Sequence, residues 1–279
     1  MRYVVYYHGC CADGFAGMMV VRRWLLRDYN FDFVRNNVEF IASQYGDEPL
    51  SVEPGDNIIM VDFSFPRAVI EDMQEKADWV VVIDHHKTAE ENLKDLISDD
   101  IVFDMNHSGA VLAWKYFFEF EPVPLFLKYI EDYDLWKFEL LRSRELSAGL
   151  KSMPMLQSNW DSYLNGFGLD QLANDGEAIL RYQQQQIGTI MRRKLPMIEL
   201  DGYRVPCINA TNMISEIGDA LANDYPFVVM YFDTEDKRVF SMRSSKSGDV
   251  DVSLIAKKRG GGGHRTAAGF SIPKPPLGI

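Results

Sequence analysis

The chain has 279 residues, 47% of them hydrophobic and 25% charged, and carries a net charge of −12. That length supports one large or two modest cores, and no apolar run approaches the roughly 20 residues that span a membrane. Residues 198–279 hold ten basic and ten acidic groups, so the whole acid excess lies in residues 1–197, with 19 basic and 31 acidic. Such a balance argues against binding long nucleic acid through counterion release, and leaves room for small phosphate ligands and divalent cations. The opening MRYVVYYHG lacks a signal peptide's apolar stretch. Cys10, Cys11 and Cys207 are too few, and odd in number, for a disulfide framework. The expectation is a cytoplasmic protein with no membrane association.

In chain order, residues 3–8 (YVVYYH) read as a β-strand and 14–29 as a helix with apolar residues at helical spacing. Further strands are expected over 37–43, 56–64, 78–86 and, more briefly, 100–104. The run DNIIMVDFS does not alternate, as a strand buried on both faces would not. Between them, 66–77 opens a helix on Pro66, and 108–120 opens one on Ser108 as N-cap. Alternating strands and helices predict an α/β domain: a parallel sheet with helices on both faces. A polar, mostly helical middle follows, then one long helix over 169–194. From 198 the pattern changes to a smaller α+β unit. It has an Asp-Gly turn at 201–202, a helix over 213–225, a hairpin over 227–245, a short helix over 251–259 and the run GGGGHRTAAGF. The expected domains are therefore 1–168, a linker helix over 169–197, and 198–279.

Three expected strands end in groups that bind protons or metal. The first ends at His8, with Asp13 in the turn; the third ends at Asp62; the fourth ends at Asp84, His85 and His86. Ligands of open parallel sheets gather beyond the carboxyl ends of the strands. If these strands are neighbours, the five groups His8, Asp13, Asp62, Asp84 and His85 share one small space. Crowded carboxylates would drive one another to protonate unless cations compensate them. A mixed carboxylate and imidazole set suits manganese, and less securely zinc or iron. A pair of such ions is the usual apparatus for hydrolysing phosphate esters. A lone aspartate at a strand end is usually a turn or cap, but that reading does not account for three such ends together. In KYIEDYDLWKF, Asp132 and Asp134 are further candidates, with Glu131 a contender. The glycine run followed by His264 and Arg265 could expose backbone N–H groups to a phosphate, joined by Arg243.

HGCCADG, VDF, DHH and EDYD, in that order, together with GGGGHRTAAGF, resemble the motifs of the DHH–DHHA1 phosphoesterase superfamily over nearly the whole chain. The likeness is greatest to its nanoRNA-degrading, dinucleotide-cleaving branch. The resemblance implies a catalytic DHH domain with two manganese ions and a C-terminal DHHA1 domain that binds substrate. Carried over, His8, Asp13, Asp62, Asp84, His85 and Asp132 would hold metal, and Asp84, His85 and His86 would form the catalytic core. Ser241, Arg243, Gly262, Gly263, His264 and Arg265 would hold substrate. Many members carry a second aspartate two residues after the first in the first motif; here Phe15 stands there. One metal then loses a ligand, unless Asp134 or water replaces it.

The activity so implied is in-line attack of metal-activated water on short linear oligoribonucleotides, chiefly dinucleotides such as pGpG or pApA. Alternatives are a 3′-phosphoadenosine 5′-phosphate phosphatase, a cyclic dinucleotide phosphodiesterase, a pyrophosphatase or polyphosphatase, and a binding module without activity. Tyr45 and His107 are candidate base or phosphate contacts, with a structural role at least as plausible for each. Assembly is open, a homodimer included.

Overall fold

The computed structural model describes residues 1–275. Contacts divide the chain into two units, Met1–Leu180 and Arg181–Ile279. The first opens with β1 (Arg2–His8), α1 (Ala12–Asp28), α2 (Phe31–Asn37), β2 (Val38–Ser43), β3 (Asp56–Val61) and α3 (Arg67–Lys76). It continues through β4 (Trp79–Asp84), α4 (Lys87–Leu93), β5 (Ile101–Phe103), α5 (Gly109–Phe117), α6 (Leu125–Asp134), α7 (Ser143–Lys151) and α8 (Gln157–Leu164). Last comes α9 (Leu169–Met191), which runs on into the second unit.

The five strands form one sheet in the order β2-β1-β3-β4-β5, and every pair is parallel. All six residues of β3 are buried, as its lack of alternation predicts. One sheet face presents Val5, Ile59, Val61, Val81 and Ile83 to α1 and α5. The other presents Val4, Tyr6, Ile58, Met60 and Val82 to Ile70 and Met73 of α3. Pairing of Val61 with both Tyr7 and Ile83 brings the carboxyl ends of β1, β3 and β4 level. His8, Asp62 and Asp84, each one residue further on, therefore stand side by side. The strand expected to reach residue 64 stops at Val61, because Asp62 takes a left-handed backbone (φ 55°) that leaves the sheet.

The second unit contains β6 (Met197–Leu200), β7 (Tyr203–Asn209), α10 (Ile214–Leu221), β8 (Val228–Asp233) and β9 (Lys237–Arg243). It ends with α11 (Val252–Lys257), β10 (Gly262–His264) and β11 (Ala267–Pro273). Its sheet runs β10-β11-β9-β8-β7-β6. Asp201 and Gly202 have φ of 50° and 84°, as a two-residue hairpin turn of this kind requires. The glycine run forms a strand, in which Gly262, Gly263 and His264 pair with Gly269, Ala268 and Ala267. A Cβ at Gly261 would lie 2.0 Å from the Gly269 carbonyl oxygen, so the small residues permit a close backbone approach.

The long helix α9 is more than a linker. Leu172 and Ala173 belong to the first core, whereas Ile187 and Ile190 pack with Ile217, Leu221 and Met230 of the second. Its first half is held by backbone contact with α7: a Cβ on Gly176 would fall 1.7 Å from the Glu145 carbonyl oxygen, and one on Gly149 1.9 Å from that of Leu172. Gly188, in the second half, meets nothing nearer than an Arg192 side chain at 3.4 Å. Overpacking a tight contact costs about 1–3 kcal/mol, whereas alanine in an open helical position gains up to about 1 kcal/mol over glycine. Gly176→Ala is therefore expected to lower the urea midpoint and Gly188→Ala to leave it level or raise it. Equal midpoints for the two variants would contradict this packing.

Candidate metal centre

Each strand end delivers its side chain to one buried cluster. Asp62, aimed by its left-handed backbone, lies at the centre. One of its oxygens is 3.1 Å from His85 Nε2, and the other 3.5 Å from His8 Nδ1. Asp84 Oδ1 is 2.7 Å from His86 Nδ1 and also accepts the backbone N–H groups of His85 and His86. Asp13, in the first turn of α1, accepts the N–H groups of Gly109 (2.7 Å) and Ala110 (3.2 Å) at the start of α5. A helix N-terminus favours a carboxylate there, and Asp13 Oδ2 stands 3.8 Å from His85 Nε2. Gly109 cannot be larger without a clash: a Cβ would sit 2.6 Å from that of Asp62. Ser108 caps α5 as expected, accepting from Val111 N–H.

The acid pair on α6 divides its roles. Asp134 reaches the cluster, with Oδ2 3.5 Å from His85 Nε2. Asp132, the expected ligand, does not. Its carboxylate accepts the N–H groups of Glu139 (2.9 Å) and Leu140 (3.4 Å) and so folds the chain that leaves the helix. Asp134 is the last residue of α6, and two positions on a helix turn a side chain by over half a revolution. Phe15 points elsewhere, into the core between Tyr7 and Trp160. Glu131 takes His107 Nδ1 (2.9 Å) and Ser108 N–H (3.1 Å), tying α6 to the start of α5. His107 thus has a structural role. Tyr45 lies with its ring 5.9 Å from those of both His8 and His86.

The electrostatics call for a cation. Burial, and then the charges of Asp62 and Asp134, push the Asp13 carboxyl well above its usual range. Burial also raises Asp134. Burial works against charge on Asp62 too, yet the neighbouring imidazoles of His8 and His85 together hold it low. His85 is opposed by burial, but Asp62, Asp134 and Asp13 raise it well above the ordinary imidazole value. His86 is raised in the same way by Asp84. Asp62 Oδ2 and Asp84 Oδ2 are buried with no hydrogen-bond partner among the described residues. A buried, unsatisfied carboxylate oxygen costs about 1–3 kcal/mol or more, and a coordinated cation removes that cost. Ligand atoms of Asp13, Asp62 and His85 lie within 4.8 Å of one another, as do those of His8, Asp62 and His86. The two groups share Asp62, so this donor set fits two divalent cations.

In the second unit, Gly262 pairs with Gly269 and Gly269 with Ser241, while His264 pairs with Ala267 and Ala267 with Arg243. Directly paired residues share a sheet face, and the alternate residues Met242 and Ala268 belong to the core. Ser241, Arg243, Gly262 and His264 therefore lie together on the opposite face. Gly263 belongs to the core side of the hairpin. Arg243 donates to Ser215 Oγ at 3.0 Å. Arg265 lies in the hairpin turn and donates to the Gly248 carbonyl at 2.7 Å.

Residues 208–277 match the DHHA1 domain. The chain is 28% identical over 284 residues to uncharacterized protein R106 of Acanthamoeba polyphaga mimivirus, covering 96% of this chain and 67% of the relative. It is 28% identical over 221 residues to oligoribonuclease NrnB of Bacillus subtilis, covering 69% of this chain and about half, 53%, of that protein. Among solved structures, PggH of Vibrio cholerae, a pGpG-specific phosphodiesterase, aligns with 98% of this chain and 94% of its own. Its TM-score of 0.48 and identity of 14% are too low to bear on activity.

The two α6 carboxylates should separate in a calorimetric manganese titration. Asp134→Asn is expected to weaken binding at least tenfold. Asp132→Asn is expected to lower the melting temperature and leave affinity near wild type. The reverse pattern would make Asp132 the ligand.

Proposed function

We propose that this chain, whose residues 208–277 match the DHHA1 domain and which is similar to an oligoribonuclease, is a DHH–DHHA1 enzyme: a manganese-dependent cytoplasmic phosphodiesterase that hydrolyses short linear oligoribonucleotides, chiefly dinucleotides, to mononucleotides. The observation that carries this reading is the pair of ligand groups sharing Asp62. When bound, divalent cations lower the pKa of an attacking water and neutralise charge on the phosphoryl oxygens.

The chain's own groups divide the remaining work. We assign His8, Asp13, Asp62, Asp84, His85 and Asp134 to metal binding. Asp13 is fixed by two backbone N–H groups, which orients its lone pairs and limits its motion. Asp84 fixes the ring of His86 through Nδ1, leaving Nε2 as the nitrogen that can donate to a phosphoryl oxygen. In the DHHA1 domain, the floor of Gly262, Gly269 and Ala267 lets a phosphate approach the sheet, with Ser241, Arg243 and His264 as its donors. Ser215 holds the Arg243 guanidinium in place for that contact. Arg265 is assigned a lesser part, because it is engaged with Gly248.

Two features support a small substrate. The first 197 residues carry 31 acidic against 19 basic groups, and so offer no broad cationic track for a long strand. The similarity to the Bacillus oligoribonuclease points the same way. With manganese and excess enzyme, linear pGpG is expected to be cleaved at least tenfold faster than a ten-residue RNA, cyclic di-GMP, pyrophosphate or 3′-phosphoadenosine 5′-phosphate. EDTA should abolish the reaction. Faster turnover of the bisphosphate or the cyclic dinucleotide would move the assignment to that substrate, and equal rates on pGpG and the longer RNA would make this a general exonuclease.

A further inference from the structure

The segment that follows Asp134 has no part in the chemistry described so far, yet it is built under strain. Trp136 and Phe138 both have φ of 55°. For bulky aromatic residues this left-handed backbone is an outlier that persists only where its surroundings enforce it. Asp132 enforces it. The Asp132 carbonyl accepts the N–H groups of Lys137 (2.8 Å) and Phe138 (3.4 Å), and its carboxylate accepts those of Glu139 and Leu140.

The outcome is three aromatic rings set edge to face. Tyr133 and Trp136 have ring centres 5.1 Å apart, Trp136 and Phe138 4.7 Å, and Tyr133 and Phe138 5.8 Å. Rings that only fill the core, such as Phe126 and Trp160, sit on ordinary helical backbone and are almost wholly buried. The rings of this trio stay partly exposed. Two cations lie on them: the Arg144 guanidinium 3.4 Å from the centre of Phe138 and 5.6 Å from that of Trp136, and Lys151 Nζ 4.3 Å from that of Tyr133. Both gather in the half of the chain that carries the acid excess. Trp136 is two residues from Asp134, so their Cα atoms are at most about 7.6 Å apart.

A partly exposed indole braced edge to face by two rings that carry cations on their faces, this close to the metal cluster, suits a nucleobase and its adjacent phosphate. We infer that Trp136, buttressed by Tyr133 and Phe138 and edged by Arg144 and Lys151, is a stacking subsite for one base of the substrate. Stacking tolerates any base, so the subsite would select nucleotides over other phosphate esters without selecting a sequence. Asp132 is a positioning residue for it. The inference rests on the phosphodiesterase reading for the substrate's chemical class.

The test compares equilibrium binding of GMP and ribose 5-phosphate to the full-length, manganese-loaded protein. The two ligands share a sugar phosphate and differ by the base. Wild type should bind GMP roughly tenfold or more tightly than ribose 5-phosphate. Trp136→Ala should remove most of that difference by weakening GMP alone, and Trp136→Phe should restore much of it. If Trp136→Ala fails to fold, Trp136→Leu keeps apolar bulk without a π-face and should show the same selective loss. Equal wild-type affinities for the two ligands, or a parallel loss of both in the variants, would overturn the subsite. Hydrolysis of pGpG is measured on the same preparation. Cleavage of pGpG together with equal binding of GMP and ribose 5-phosphate defeats the subsite alone, and tighter binding of GMP than of ribose 5-phosphate without cleavage defeats the phosphodiesterase reading alone.

Discussion

Everything in the first unit depends on the carboxylate of Asp62 being held where water cannot reach it. A buried carboxylate is costly unless opposite charge and hydrogen bonds surround it. Here the sheet supplies them from both sides, His8 from the strand on one flank and His85 from the end of the strand on the other. The left-handed turn at Asp62 is the local cost of pointing that side chain into the gap between its neighbours. Because three parallel strands finish level, one residue type at each end suffices to assemble the cluster. A parallel sheet does this more readily than an antiparallel one, in which neighbouring carboxyl ends lie at opposite edges.

Two helices complete what the strands begin. The start of α5 offers its first N–H groups to Asp13, and the close approach of Gly109 to Asp62 keeps that helix end against the cluster. Glu131 then couples the start of α5 to α6, whose final residue is Asp134. The same few residues at the end of α6 serve two ends. Asp134 turns inward to the imidazole of His85, and Asp132 turns back to fold the aromatic segment beyond it. A substitution at Asp132 therefore acts on shape, whereas one at Asp134 acts on charge.

Much of this was legible in the sequence. The five parallel strands, the helices on both faces and the gathering of His8, Asp13, Asp62, Asp84 and His85 follow from apolar runs that end in polar groups. Tertiary detail decided the rest. The choice between Asp132 and Asp134 turns on where α6 stops, and no local signal fixes a helix end to within one residue. The glycine run pointed to a close approach of phosphate to backbone and not to a strand; the backbone proximity that makes it a strand depends on a partner found only in the folded sheet. The contribution of α9 to both cores was hidden for a similar reason. Its amphipathic pattern shows which residues pack but not against what. Gly109 carried a readable signal in retrospect, a small residue directly after the N-cap Ser108. Its partner, Asp62, lies 47 residues earlier in the chain.

The central claim is that the cluster around Asp62 exists to hold two cations. Anomalous diffraction at the manganese edge, from crystals grown with manganese, addresses it without reference to any substrate. The account predicts two peaks, both in contact with Asp62, one beside Asp13 and His85 and the other beside His8. A single peak that excludes Asp62, or none in this cluster at saturating manganese, would contradict it.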